Sequence, residues 1–109
     1  MRVLVCGGRD FDRWGLLHRT LSNIEDLGDI ETIIHGNACG ADWLAKTWAI
    51  WSGINQEPYP AEWNKHGKAA RFIRNQQMID EGKPDLVVAF PEGKSTKDIV
   101  TRAKKADRS

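Results

Sequence analysis

Arg2-Val-Leu-Val-Cys6, stopped by Gly7-Gly8, opens the chain, and Thr32-Ile-Ile-His35 before Gly36 repeats the same arrangement. Both runs are too short for a helix, are rich in β-branched residues and end at glycine, which reads as a buried strand turning sharply at its carboxyl end. Working outward, Trp14, Leu17, Leu21 and Ile24 recur at helical spacing, which predicts a helix with Asp12 as its cap and Gly28 beyond its end. Ala41 to Ser52 carries Leu44, Ala45, Trp48 and Ala49 on one face and stops at Gly53, a second helix. Ile54 to Tyr59, closed by Pro58 and Pro60, reads as a weaker extended segment. Lys68 to Ile79 reads as the third helix and Asp85 to Phe90 as the most regular strand. Thr96 to Lys105 forms the fourth helix, with Ile99, Val100, Ala103 and Ala106 turned inward.

Strand alternates with helix throughout, the pattern of a parallel sheet with helices on both faces. The expected fold is a small Rossmann-like, three-layer α/β/α domain with a mostly parallel sheet of about four strands, one unit over residues 1–109. In such a sheet every strand ends on the same edge, and ligand sites belong on that edge.

Composition narrows the function. Hydrophobic residues at 40% and charged residues at 28% make an ordinary globular mixture, and sixteen Lys and Arg against fifteen Asp and Glu leave a net charge of +1. No global field draws in nucleic acid or an anionic membrane, so any bound anion must be held locally. The apolar stretches, such as Val3 to Cys6 and Leu86 to Phe90, fall far below the roughly 20 residues a membrane span needs, and the amino-terminal one is too short for a signal peptide. Cytoplasm is the expected location. Cys6 and Cys39 are expected to be reduced, and their spacing suggests neither a disulfide framework nor zinc; no metal or cofactor is expected.

Three strand-to-helix loops carry glycine: Gly7-Gly8-Arg9-Asp10, Gly36-Asn37-Ala38-Cys39-Gly40-Ala41-Asp42 and Pro91-Glu92-Gly93-Lys94-Ser95-Thr96. Glycine lets backbone N–H groups approach a ligand, and the helix that follows adds partial positive charge, so such loops can cradle phosphate. A tight turn explains any one of them; three on one edge point to a phosphate site. Gly93-Lys94-Ser95 is not a Walker A loop, because Val88 stands where that motif needs glycine. Gly7-Gly8-Arg9 lacks the G-x-G-x-x-G spacing, which disfavours an ordinary NAD enzyme.

Met1 to Phe11, His35-Gly36 through Asp42, Ala61 to Met78 and Ala89-Phe90-Pro91 through Thr96 together resemble the DUF2493 family, the YspA- or YpsA-related branch of the SLOG superfamily. The resemblance spans nearly the whole chain and implies a Rossmann-like domain that binds nucleotides or nucleotide-derived ligands, often phage-encoded or tied to nucleotide signalling. The superfamily includes the LOG-type phosphoribohydrolases, whose Arg...Met and Pro-Gly-Gly-x-Gly-Thr-x-x-Glu elements look like Arg74...Met78 and Pro91 to Ile99. Here Glu92 and Ser95 replace glycines, and Ile99 stands where the catalytic acid would be. Asp98 is the neighbouring carboxylate, turned by about 100° on a helix. A binding module is therefore favoured over a hydrolase.

Arg9 is expected to pair with phosphate, Asp10 to hold Arg9 or a ribose hydroxyl, and Phe11 to complete the first loop. Gly7, Gly8, Gly36, Asn37, Ala38, Gly40 and Asp42 form the first two cradles, although the helix dipole favours an acid at Asp42 with or without a ligand. Arg74 is the second phosphate anchor, with Asn75 beside it, where a solvated polar face is the ordinary reading. Pro91, Gly93, Lys94, Ser95 and Thr96 form the third cradle, Ser and Thr serving equally as helix caps. Trp63, in a polar loop with His66 and Gly67, is expected to stack on a base. His18 reads as a surface residue, and His35 as a strand-end residue bordering the site. Trp48 is expected in the core. Trp43 and Trp51 are left for self-association, which the resemblance also implies. The resemblance implies a further strand beyond the last helix in many relatives, so an open sheet edge covered by a partner subunit in a homo-oligomer is expected.

The leading expectation is thus a module that sequesters or senses a nucleotide-derived signal. The alternative is a nucleotide N-glycosidase or phosphoribohydrolase with Arg74 as anchor and Asp98 or Asp10 as the acid. Single-stranded nucleic-acid binding needs a basic groove that the near-neutral charge does not advertise.

Overall fold

The computed structural model describes residues 1–90 and 94–108, with the backbone alone for residues 94–96, 107 and 108. Strand β1 (Arg2–Cys6) divides the molecule, because its alternating side chains enter two separate cores. Val3 and Val5 join Leu17 and Leu21 of α1 (Trp14–Leu27), Ile33 of β2 (Thr32–His35) and Ala41, Ala45, Trp48 and Ala49 of α2 (Ala41–Ser52). On the opposite face Leu4 and Cys6 meet Ile34 of β2, Met78 and Ile79 of α4 (Ala70–Asp80) and Ile99 of α5 (Lys94–Arg108). Strand β3 (Asn55–Pro58) and the single-turn α3 (Trp63–His66) lie between α2 and α4, and β4 (Leu86–Ala89) precedes α5.

The sheet runs β3-β2-β1-β4 with every pairing parallel, the three-layer Rossmann-like arrangement that the alternation predicts. Pro58 sits on the edge strand β3, where a missing N–H is tolerated. The chain lays β1, β2 and β3 outward in order, then returns to place β4 on the far side of β1. That reversal opens a crevice at the carboxyl ends of the strands.

Several local expectations change. Asp12 does not cap α1: the helix starts one residue late for it, Arg13 takes the cap position without a side-chain bond, and Asp12 only accepts the Trp14 N–H through its carbonyl, at 3.0 Å. Trp63 begins a helical turn rather than lying in a loop. Gly67, at φ +58°, separates that turn from a 3-10 turn at Gly67–Ala69 that leads into α4, so the helix expected from Lys68 proper begins at Ala70. Strand β4 is an edge strand and only half covered, leaving Leu86 38% exposed. Ala106 is exposed rather than inward: α5, about 22 Å long at 1.5 Å per residue, outruns a strand of about 13 Å.

Candidate functional site

A cavity of about 930 Å³ occupies the crevice. Strand β1 ends in it at Cys6 and continues through Gly7, Gly8 and Arg9, and the β2–α2 loop contributes Gly36 to Gly40. Helix α2 adds Asp42, Trp43 and Lys46, the segment after β3 adds Trp63, and α4 adds Arg71, Arg74 and Asn75. The glycines are needed for close approach. A Cβ on Gly36 would stand 2.8 Å from Arg74 Cζ and 2.9 Å from Asp42 Oδ2; one on Gly40, at φ +77°, would stand 2.7 Å from the Arg9 backbone.

Behind these loops lies a satisfied polar network. Arg74 is only 7% exposed and Asn75 2%, so neither belongs to a solvated face. Arg74 Nη1 donates to the Gly36 carbonyl at 2.6 Å and Nε donates to Asn75 Oδ1 at 2.9 Å. Asn75 Nδ2 donates to Asp98 Oδ2 at 3.1 Å, and Arg102 Nε pairs with the same oxygen at 2.7 Å. Asp42 Oδ2 accepts the Ala38 N–H at 3.3 Å. Burial pushes the Asp42 carboxyl up to about 6, against the opposing pull of Arg74 and of the Ala38 and Gly36 N–H groups. Burial lowers Arg74, an effect that Asp42 opposes. Burial, with Asp42 adding to it, pushes the Cys6 thiol up to about 12, so it stays protonated and is no nucleophile.

His35 does not border the cavity. It is fully buried, with Nε2 2.6 Å from Gln56 Oε1 and Nδ1 accepting the Asn37 N–H at 3.0 Å. Burial holds the imidazole below its usual range, and the neutral ring fixes Asn37 at φ 55°, where the loop turns.

Of the residues singled out in sequence, Gly7, Gly8, Arg9, Gly36, Asn37, Ala38, Gly40, Asp42, Trp63, Arg74 and Asn75 meet around this one cavity. Asp10 lies outside its lining and is exposed; among the described residues it makes no ion pair with Arg9. Phe11 also lies outside it, its ring packed on Phe90 with centroids 4.9 Å apart, because it belongs to the first core. Asp98 stands behind the cavity wall, engaged by Asn75 and Arg102, while Ile99 lines the cavity with an apolar side chain. Pro91 and Gly93, and the side chains of Lys94, Ser95 and Thr96, lie outside the described residues.

Sequence patterns do not single out Lys46 and Arg71. Each had a signal: Lys46 follows Asp42 by four residues and Arg71 precedes Arg74 by three, so both share a helix face with a residue already noted. Among the described residues no group of three or more His, Cys, Asp or Glu could hold a metal ion, and no helix is long and apolar enough to cross a membrane.

The profile of YAcAr, the YspA, cpYpsA-related SLOG family, matches residues 1–66, the part of the chain that carries the first two glycine loops. The chain belongs to this family. It is also 40% identical over 114 residues to the Gene 61 protein of Mycobacterium phage D29, an alignment covering 96% of this chain and 90% of that protein. No solved structure matches it. In this SLOG-family chain the family match supplies the glycine loops, whereas Arg71, Arg74 and Asn75 lie past its end and complete the cavity from α4.

Proposed function

We propose that this SLOG-family chain binds a nucleotide or nucleotide-derived ligand, cyclic and ADP-ribose-type compounds included, and sequesters or senses it as a signal. One observation carries the reading: two glycine loops at the carboxyl ends of β1 and β2, the first beside the switch point of the parallel sheet, enclose a cavity with Arg9 and Arg74 in its lining. The start of α2 behind the second loop favours an anion there, and Trp63, 52% exposed at the rim, offers a stacking face for the base. Similarity to a phage protein supports a phage-encoded role in the host cytoplasm, where a captured nucleotide signal is withdrawn from its receptor. Trp43, Ile50 and Trp51 leave an apolar face on α2 through which the chain forms a homo-oligomer.

A second reading, nucleotide N-glycosidase or phosphoribohydrolase, is favoured by Asp42. It is the one carboxyl in the described lining, and it titrates near pH 6, where it can deliver a proton to a leaving base. Asp98 is engaged elsewhere and Asp10 lies outside the cavity.

One experiment separates the two readings. The protein is incubated with mono-, di- and cyclic nucleotides and ADP-ribose derivatives, freed of unbound ligand and denatured, and the released compounds are identified by mass spectrometry. Recovery of an intact ligand, reduced in Arg9→Ala, is the result expected of a binding module. Free base with ribose phosphate, abolished in Asp42→Asn, would make the chain a hydrolase. Arg9 suits this test because it is exposed and makes no ion pair among the described residues, so its loss leaves the fold in place.

A further inference from the structure

We propose that the cavity holds two adjacent phosphates, the second of them bound by Arg71 and Lys46, so that its ligand is a pyrophosphate-bearing nucleotide rather than a monophosphate. This rests on the nucleotide reading above and narrows its substrate class.

The charges in the described lining are four cations, Arg9, Lys46, Arg71 and Arg74, against the single carboxylate of Asp42. In a chain of net charge +1 that excess is local. Asp42 already faces Arg74, the inner cation, and each acts on the other's titration. The remaining three have no acidic partner among the described residues. Arg71 is the most telling of them. Its Nε is buried with no hydrogen-bond partner among the described residues, and the guanidinium makes only a ring contact with Phe72, its carbon 4.9 Å from the centroid. That Nε is closed off, whereas the two Nη groups are neither buried nor hydrogen-bonded among the described residues, and on a cavity-lining side chain they are the donors left for a ligand oxygen.

Spacing sets the kind of ligand. Arg71 and Arg74 stand three residues apart on α4, which puts their Cβ atoms about 5–6 Å apart on one face. Arg74 is tied to Asn75 and the Gly36 carbonyl on the inner wall while Arg71 is not, so the two guanidiniums do not converge on one phosphate but serve neighbouring ones along one chain. Lys46 enters from the opposite wall on α2, its ammonium held 5.3 Å over the Trp43 ring. It is a compact charge that meets a phosphate without demanding one geometry.

The test uses inorganic phosphate and inorganic pyrophosphate as probes, so the unknown base plays no part. Calorimetric titrations at fixed ionic strength compare the full chain with Arg71→Gln and Lys46→Gln, each checked for an unchanged thermal midpoint. The wild type is expected to bind pyrophosphate at least about tenfold more tightly than phosphate, as an added charge-assisted contact implies. Each variant should lose most of that preference, its pyrophosphate affinity falling much further than its phosphate affinity. Pyrophosphate and phosphate bound alike, or a preference untouched by both variants, would overturn the second subsite and leave the nucleotide reading standing. Binding of neither anion would overturn both.

Discussion

The two sides of the cavity are built on opposite principles. On the inner side, Arg74, Asn75, Asp98 and Arg102 satisfy one another, and Arg74 also ties the Gly36 carbonyl. On the outer side, Arg9, Lys46 and Arg71 have no ion pair among the described residues, and Trp63 stays half in solvent. The inner side has its contacts before any ligand arrives and so acts first as scaffold, Arg74 alone of its members also offering a cation to the cavity; the outer side holds donors still lacking acceptors and so acts as recognition surface. A substitution on the inner side should therefore be read in stability, and one on the outer side in binding.

The sharpest break in this division comes from Arg74→Ala. It leaves the Gly36 carbonyl and Asn75 Oδ1 without a donor and Asp42 without its countercharge, and should destabilise the fold by about 3–5 kcal/mol. Chemical denaturation measures this, and a loss under about 1 kcal/mol would place Arg74 with the outer group.

The pH dependence of stability sharpens the division further. The folded carboxyl of Asp42 titrates near 6 against an ordinary 3.8, so between these values the folded state keeps a proton that the unfolded state has released. Its contribution is complete below about pH 4 and is lost as pH rises through about 6, in all roughly 3 kcal/mol. Burial of neutral His35 acts the opposite way just below its ordinary 6.5, so the slope is taken as the difference between wild type and Asp42→Asn, in which His35 is unchanged. Parallel stability curves for the two proteins would contradict the assignment.

Gly36→Ala tests the close approach itself. Its methyl would enter the Arg74 guanidinium and the Asp42 carboxylate, and about 1–3 kcal/mol of stability should be lost in thermal unfolding. Smallest in stability is Trp63→Ala on the outer side, expected to change folding by about 0.5 kcal/mol or less while weakening nucleotide binding about tenfold through lost stacking. A large stability loss with unchanged affinity would make Trp63 a packing residue.

The strands were legible because a short apolar run closed by glycine has few other readings, and the alternating order then dictates the parallel sheet. Where the chain meets itself was harder to read. Arg74 and Asn75 carry the chemistry of a solvated face, and they are buried because α4 packs against the β2–α2 loop, a contact between positions 38 residues apart. Asp98 looked available on its helix until Asn75 and Arg102 proved to hold it. Phe11 sits inside the opening motif yet packs on Phe90, because a motif records sequence neighbours and not which way each side chain turns. Lys46 and Arg71 gain meaning only once α2 and α4 face one cavity.

The most direct test of the central claim is amide chemical-shift mapping while pyrophosphate is titrated into the isotope-labelled chain. The predicted shifts cluster at Gly7 to Arg9, Gly36 to Asp42 and Arg71 to Asn75. Shifts confined to the groove between β4 and α5, around Lys83, Asp85 and Lys104, would contradict it.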